Sequence, residues 1–339
     1  GSNTIHLVVA QPPYGDHPLK TLANQAELVR LGADVTAIGA IGPERAERAI
    51  AAVNAQLDIA RSLGATTILG LATEGVRRAA NASAFLQRVQ AETGLTLELI
   101  TGEQEAALAW WGGASAAPHL TGRKGVIDLG GGSLELILGA GTRIDWRVSL
   151  PLGSGVIRSA WLPSDPPGFR EVNRAYRAVC ETLATLNPPL SAPGASTGPL
   201  DVIVCGGTAT VLATLASRVA HTAAAQRSAI PPAADKPVKS VKTDKTASGR
   251  QRSLTITQLD DLLTLLQHTS AQELTERYRI KEARARLLAP GAVALLAAME
   301  RLGAQRLWVS KRGIREGAIL AYAHAGQGWL DAATAGAGW

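Results

Sequence analysis

Val126-Ile127-Asp128-Leu129-Gly130-Gly131-Gly132-Ser133-Leu134-Glu135-Leu136-Ile137-Leu138 is the stretch on which the fold of this chain turns. Two β-type apolar runs, Val126–Ile127 and Leu136–Leu138, flank an acid and three consecutive glycines. Glycine removes side chains where the backbone turns, so its N–H groups can converge on an anion. Asp128 and Glu135 stand at opposite ends of the turn. Two carboxylates beside a phosphate cradle would repel its guest without a cation between them, so the stretch implies phosphate together with Mg²⁺. A plain glycine-rich hairpin is the alternative. Acids at both ends, with Ser133 at the exit, favour phosphate chemistry.

Strand, glycine turn and hydroxyl recur at Val202-Ile203-Val204-Cys205-Gly206-Gly207-Thr208. Elsewhere apolar alternation predicts strands over 4–10, 65–71, 95–100, 136–139, 145–150 and 306–310. Helical spacing predicts helices over 21–30, 44–63, 84–93 (closed by Gly94), from 106, and over 169–186, 211–218, 257–267, 270–279, 290–301 and 313–323. Residues 73–77, 101–105 and 152–155 read as loops or turns, and the helices at 257 and 270 as Ser/Thr-capped with Asp260 and Glu273 three residues on. Strands alternating with helices predict an α/β fold with phosphate sites at the carboxyl edge of a sheet.

A chain of 339 residues has room for two cores. No run approaches the roughly twenty apolar residues that span a bilayer. Gly1-Ser2-Asn3 leads straight into a strand-like run, which reads as no secretory leader. Cys180 and Cys205 read as reduced buried thiols, consistent with the cytoplasm, and no metal-ligand spacing of cysteines occurs. Much of the net charge of +6 comes from Lys236, Lys239, Lys242, Lys245, Arg250 and Arg252. Residues 222–253 read as a disordered basic insertion and 187–199 as a surface loop, so the basic balance is no sign of nucleic-acid binding. His6 reads as a satisfied packing histidine, Trp110 and Trp111 as core, and Arg315-Glu316 as a cap or pair in the last helix.

Several segments, in order along the chain, resemble one family: Gly1-Ser2-Asn3-Thr4-Ile5-His6-Leu7-Val8-Val9, Ala72-Thr73-Glu74-Gly75-Val76-Arg77, Asn81 with Phe85, and Ile100-Thr101-Gly102-Glu103-Gln104-Glu105-Ala106. The glycine stretch, Cys205-Gly206-Gly207-Thr208-Ala209, and Val309-Ser310 with Gly313-Ile314-Arg315-Glu316-Gly317 complete the set. Together they are similar to the exopolyphosphatase and guanosine pentaphosphate phosphatase family, within the actin, Hsp70 and sugar-kinase superfamily. The resemblance implies two ribonuclease-H-like (actin-like ATPase) α/β domains, 1–121 and 122–330, with the active site in the cleft between them. It also implies a first strand and an acid ahead of Gly1. The segment Arg284-Ala285-Arg286 places Arg where the family usually has Asp, and the 222–253 insertion is longer than the family's connection.

On residues alone, Glu103 and Glu105 both read as acids at a helix start. By resemblance Glu105 is the general base and Asp128 and Glu135 hold Mg²⁺. Ser2, Asn3, Thr4, Arg77, Gly130, Gly131, Gly132, Ser133, Gly206, Gly207 and Thr208 then bind phosphate, with Ser154 and Arg158 as weaker candidates. The implied activity is release of orthophosphate from inorganic polyphosphate. Alternatives are the same chemistry on guanosine pentaphosphate, a sugar or acetate kinase, or a sensing module without catalysis. The family further implies a homodimer, and neither nucleic acid nor a membrane as partner.

Overall fold

The computed structural model describes residues 2–14, 17–120, 122–190, 200–228 and 252–335, the side chains of 222–228 excepted. The first half opens with the hairpin β1 (Thr4–Gln11) and β2 (Lys20–Leu28), then α1 (Leu31–Ile38), α2 (Pro43–Ser62), β3 (Gly70–Ala72), α3 (Glu74–Arg77), α4 (Ala82–Thr93), β4 (Leu97–Leu99) and α5 (Gly102–Ser115). Next come β5 (Arg123–Leu129), β6 (Leu134–Ala140), β7 (Arg143–Leu150), α6 (Ser154–Trp161), α7 (Phe169–Ala184), β8 (Asp201–Cys205) and α8 (Gly207–Ser228). The chain closes through β9 (Ser253–Thr255), α9 (Ile256–Gln267), α10 (Ala271–Tyr278), α11 (Glu282–Ala285), α12 (Leu288–Leu302), β10 (Arg306–Val309), α13 (Ile314–Ala325) and α14 (Trp329–Ala335).

The second half is built on a mixed six-stranded sheet in the order β7-β6-β5-β8-β10-β9, so the expected α/β class holds. β5, β8 and β10 run parallel, while β6 and β7 form an antiparallel meander on the β5 edge. The central strands are apolar on both faces because both faces are covered. Ile127, Leu129, Leu134, Leu136 and Leu138 pack with α7, α9 and α12. Val126, Ile137, Ile203 and Cys205 pack against Leu108, Trp110 and Trp111 of α5 and Ala318 and Ala321 of α13. The buried Trp110 indole donates to the Thr142 carbonyl at 3.1 Å.

The first half carries two separate ribbons, antiparallel β1-β2 and parallel β3-β4. An apolar slot lies between β1 and β3, walled by Val53, Leu57 and Ala60 of α2 and by Ala318, Ile319 and Tyr322 of α13. It opens into the cleft between the halves, and the two form one cavity of about 1170 Å³.

Several local expectations are corrected. The helix expected at 21–30 is the strand β2. Its residues are mostly exposed, so no apolar face selects a helix, and pairing with β1 from Thr4↔Leu28 to Gln11↔Lys20 decides the conformation. Of the run 65–71 only Gly70 and Leu71 are extended, because only β4 offers a partner. Residues 74–77 form a helical turn rather than a loop. The turn expected at 101–105 is already helix: Thr101 caps α5 in a reciprocal box with Gln104. At 152–155 the turn passes directly into α6. Thr255 with Gln258, not Thr257 with Asp260, caps α9. The insertion is narrower than 222–253, since α8 runs to Ser228 and Ser253 pairs with Trp308 in the sheet. Residues 229–251 lie outside the described residues, as do 191–199 of the second loop. Cys205 is buried as expected, but Cys180 is only half-buried; both are free thiols.

α5 and α13 cross with their backbones in contact. A Cβ on Gly317 would sit 1.9 Å from the Leu108 carbonyl oxygen, and one on Gly112 would sit 1.9 Å from that of Gly313. Gly317→Ala gains about 1 kcal/mol of helix propensity, but the group in its way is backbone and cannot rotate aside. Overpacking costs about 1–3 kcal/mol, so urea denaturation is expected to show net destabilisation. A variant as stable as the parent would mean that the crossing is looser than drawn.

Candidate active site

The register of β5 against β6 places Asp128 directly opposite Glu135, with Leu129 opposite Leu134 closing the ladder beneath the glycine turn. Both acids are buried, Asp128 at 7% exposure and Glu135 at 1%. The capping box at Thr101 starts α5 early enough to bring Glu105, at 5% exposure, onto the same cavity wall. Burial, then the Asp128 charge, push the Glu105 carboxyl up to about 7. Burial pushes Asp128 to about 6 against the pull of Arg315. Glu135 is held well above the usual carboxylate range by burial and by the charges of Glu105 and Asp128. Ser149 Oγ donates to Glu135 Oε1 at 2.7 Å. Glu105 Oε2 is buried with no hydrogen-bond donor, its neighbour being Arg77 Nη2 at 3.6 Å. Arg77 is anchored in turn on the Ile100 carbonyl.

Two sets of backbone donors face these acids. Gly130 N–H bonds the Ser133 carbonyl, closing the turn, while the N–H groups of Gly131, Gly132 and Ser133 bond no other described backbone group. Asn3 lies flat on this turn: a Cβ on Gly131 would be 2.2 Å from Asn3 Nδ2. The second set comprises the first N–H groups of α8, which begins at Gly207, four residues before the expected start. Gly206, at φ +107°, makes the bend, and a Cβ there would strike the Leu129 carbonyl oxygen at 2.4 Å. Ser2, Asn3, Thr4, Gly130, Gly131, Gly132, Ser133, Gly206, Gly207 and Thr208 all line the cavity with Glu105, Asp128 and Glu135. Arg77 stands behind Glu105 instead.

Other residues play supporting parts. Ser154 belongs to the scaffold: Ser154 and Gly155 N–H bond the carbonyls of Gly130 and Gly131, so α6 props the turn from below. Arg158 faces Ser164, Asp165 and Arg286 in a separate small cavity. Glu316, at 1% exposure, caps α13 through Gly313 N–H at 2.9 Å, as its motif suggested. Arg315 reaches back to His6 Nδ1, and a guanidinium only donates, so Nδ1 accepts and the His6 proton lies on Nε2, facing Asn24 Oδ1. Burial and Arg315 accordingly push His6 down to about 4. Two cleft residues stand in segments that the resemblance picks out but carry no site role from sequence. Arg284, on the short α11, touches Gly207, and Glu74 abuts Gly132. Charged residues beside loops with no apolar period carry no local signal, and only the fold brings them in.

The donor set suits a hard cation. Among the described residues no three acids, histidines or cysteines converge tightly enough to hold a metal unaided. Mg²⁺, however, takes only one or two carboxylates and completes its shell with phosphate oxygens and water. The buried, facing carboxyls of Asp128 and Glu135 match that requirement.

A profile of the Ppx/GppA phosphatase family matches residues 8–325. The chain belongs to that family. It is 32% identical over 325 residues to Exopolyphosphatase 1 of Mycobacterium tuberculosis, covering 94% of this chain and 85% of that protein, and 31% identical to Exopolyphosphatase 1 of Mycobacterium leprae over a similar span. The structure is similar to that of the Ppx/GppA family member of Aquifex aeolicus, with a TM-score of 0.72, 26% identity and 96% of each chain covered. Among the described residues no helix is long and apolar enough to cross a membrane.

The buried carboxyls make stability fall as pH rises. In the metal-free protein Glu105 keeps its proton to about pH 7, whereas its ordinary value is 4.5. Between those values the folded state binds more protons than the unfolded one, so the unfolding free energy drops with increasing pH. Glu105→Gln is therefore expected to be more stable than the parent at about pH 8, by up to about 3 kcal/mol, with the difference vanishing below about pH 4.5. Denaturant titration at both pH values measures it. Equal stability at the higher pH would show that the carboxyl is not strained by burial.

Proposed function

We propose that this protein is an exopolyphosphatase that hydrolyses the terminal phosphoanhydride of inorganic polyphosphate and releases orthophosphate. The observation that carries the assignment is a buried acid of raised pKa, Glu105, sharing one cavity with two backbone cradles and a carboxylate pair. The full-length similarity to Exopolyphosphatase 1 supports it.

The terminal phosphoryl group rests on the N–H groups of Gly131, Gly132 and Ser133, and the next phosphate lies toward the start of α8 at Gly207 and Thr208. Asn3 and Thr4 close the site from the other half. Ser2 contributes through its backbone, because its hydroxyl already donates to Glu74. Glu105 accepts the proton of the attacking water; a base poised near neutrality serves best at physiological pH. Arg77 keeps that carboxylate in place. Asp128 and Glu135 would hold Mg²⁺, which when bound offsets phosphate charge. Phosphoryl transfer depends chiefly on such positioning and charge neutralisation, since phosphate is already a competent leaving group.

The two halves are both ribonuclease-H-like units in this proposal. β7-β6-β5 antiparallel followed by β8 and β10 parallel is one such order. β2-β1 and β3-β4 repeat the same senses on either side of the apolar slot, where the counterpart of β5 belongs. An extended strand laid there would join both ribbons into one sheet. Placing Val-Ile-Asp-Leu, copied from β5, ahead of Gly1 is expected to raise the melting temperature by several degrees. An unchanged or lowered value would count against a strand in the slot.

Phosphate release from long-chain polyphosphate and guanosine pentaphosphate, and ADP formation from ATP with glucose or acetate, each with and without Mg²⁺, test the activity. Metal-dependent release from polyphosphate is expected, with Glu105→Gln losing on the order of 10²–10⁴ in rate while still binding substrate. Full activity in that variant, or turnover confined to acceptor-dependent ADP formation in the kinase mixtures, would overturn the assignment.

A further inference from the structure

We propose that Glu74 is a positioning residue that holds the glycine turn of the second half against the first, acting through Ser2. This rests on the polyphosphate reading of the cleft. Glu74 is 6% exposed, yet both its oxygens are engaged. Oε2 accepts from Ser2 Oγ at 3.1 Å, and Oε1 pairs with Arg78 Nη1 at 3.0 Å. The same Oε2 abuts Gly132, where a Cβ would lie 1.7 Å away. Ser2 is wedged as tightly: a Cβ on Gly32 or Gly75 would come within 2.9 Å or 2.7 Å of it. Carboxylate and serine thus form a strut from α3 to the phosphate cradle.

A carboxylate beside an anion site ordinarily weakens anion binding. Arg78, on the side away from Ser2, compensates that charge, and what remains is shape and one hydrogen bond. Removing the carboxylate frees the Ser2 hydroxyl and opens space behind Gly132, so the N–H groups of the turn lose their alignment before substrate arrives. The loss falls on binding, because Glu105, Asp128 and Glu135 keep their own supports.

The test is a cycle of Glu74→Ala, Ser2→Ala and the double variant, with Glu74→Gln beside them, assayed on polyphosphate with Mg²⁺. Loss of one buried, charge-assisted hydrogen bond predicts a KM about tenfold higher in either single variant, with kcat within about twofold. The double variant should be no worse than the poorer single one, and Glu74→Gln, which keeps the acceptor, should recover most of KM. An unchanged KM in Glu74→Ala, effects that multiply in the double variant, or Glu74→Gln as impaired as Glu74→Ala would each overturn the strut. Should Glu74→Ala fail to fold, Ser2→Ala and Glu74→Gln decide: a parental KM in Ser2→Ala refutes the proposal. A parent that releases no phosphate refutes the assigned activity instead. The strut is then read from orthophosphate affinity by calorimetry, which Glu74→Ala should weaken about tenfold and an intact affinity would contradict.

Discussion

Three buried carboxyl groups that feel one another's charge set the terms for the whole cleft. Like charges in a medium less polar than water repel by several kcal/mol at short range; Arg77 beside Glu105, Arg315 beside Asp128 and the Ser149 hydroxyl on Glu135 offset that repulsion in part. No packing advantage explains such a cluster, since each acid would be better solvated outside. The fold sustains it because the sheet beneath is apolar on both faces and forces the β5-β6 register that sets Asp128 against Glu135. Protons relieve the repulsion at low pH, and a divalent cation would relieve it at neutral pH. Backbone donors then face the same space, so an anion with a divalent cation would meet complementary partners where the bare protein is most strained.

Missing side chains make this geometry reachable. At the turn, Gly153 approaches so closely that a Cβ would be 2.4 Å from Gly132 N, which lets α6 support Gly130 and Gly131 by hydrogen bonds. At the crossing of α5 and α13, Gly112 and Gly317 let the carbonyl groups of Gly313 and Leu108 nestle against their Cα atoms. The first contact fixes the cradle and the second fixes the helix that carries Glu105. Glycines distant in sequence thereby control the distance between Glu105 and the glycine turn.

The glycine turns, the acids flanking them, the α/β alternation and the capping motifs at Ser270 and Glu316 were legible from local pattern, because each depends on residues a few positions apart. Helix starts were legible in principle: Thr101 and Gln104 form a capping box, yet the polar run 101–105 looked like a turn. What local pattern did not carry was partnership. β2 has the spacing of a helix and becomes a strand because β1 lies beside it, and residues 65–69 have strand composition but, among the described residues, no strand paired with them. Glu74 and Arg284 stand in quoted segments but carry no site role from sequence, for the same reason. Their importance comes from touching Gly132 and Gly207, contacts that appear only once the chain has closed on itself.

The packing of α5 also separates two tasks. Although it follows the N-terminal ribbons in sequence, its buried residues Leu108, Trp110 and Trp111 sit on the sheet of the second half, beside Val126, Ile137 and Ile203. Glu105 therefore rides with Asp128 and Glu135 as one rigid group. The first half reaches this group through short contacts: Asn3 on Gly131, Glu74 on Gly132, and Arg77 beside Glu105. A small rotation of one half against the other would leave the acids in register while loosening or tightening the grip on the phosphate cradle. The three acids are thus seated on one core, while the glycine turn meets the first half at a seam where backbone and short polar side chains have little space to spare.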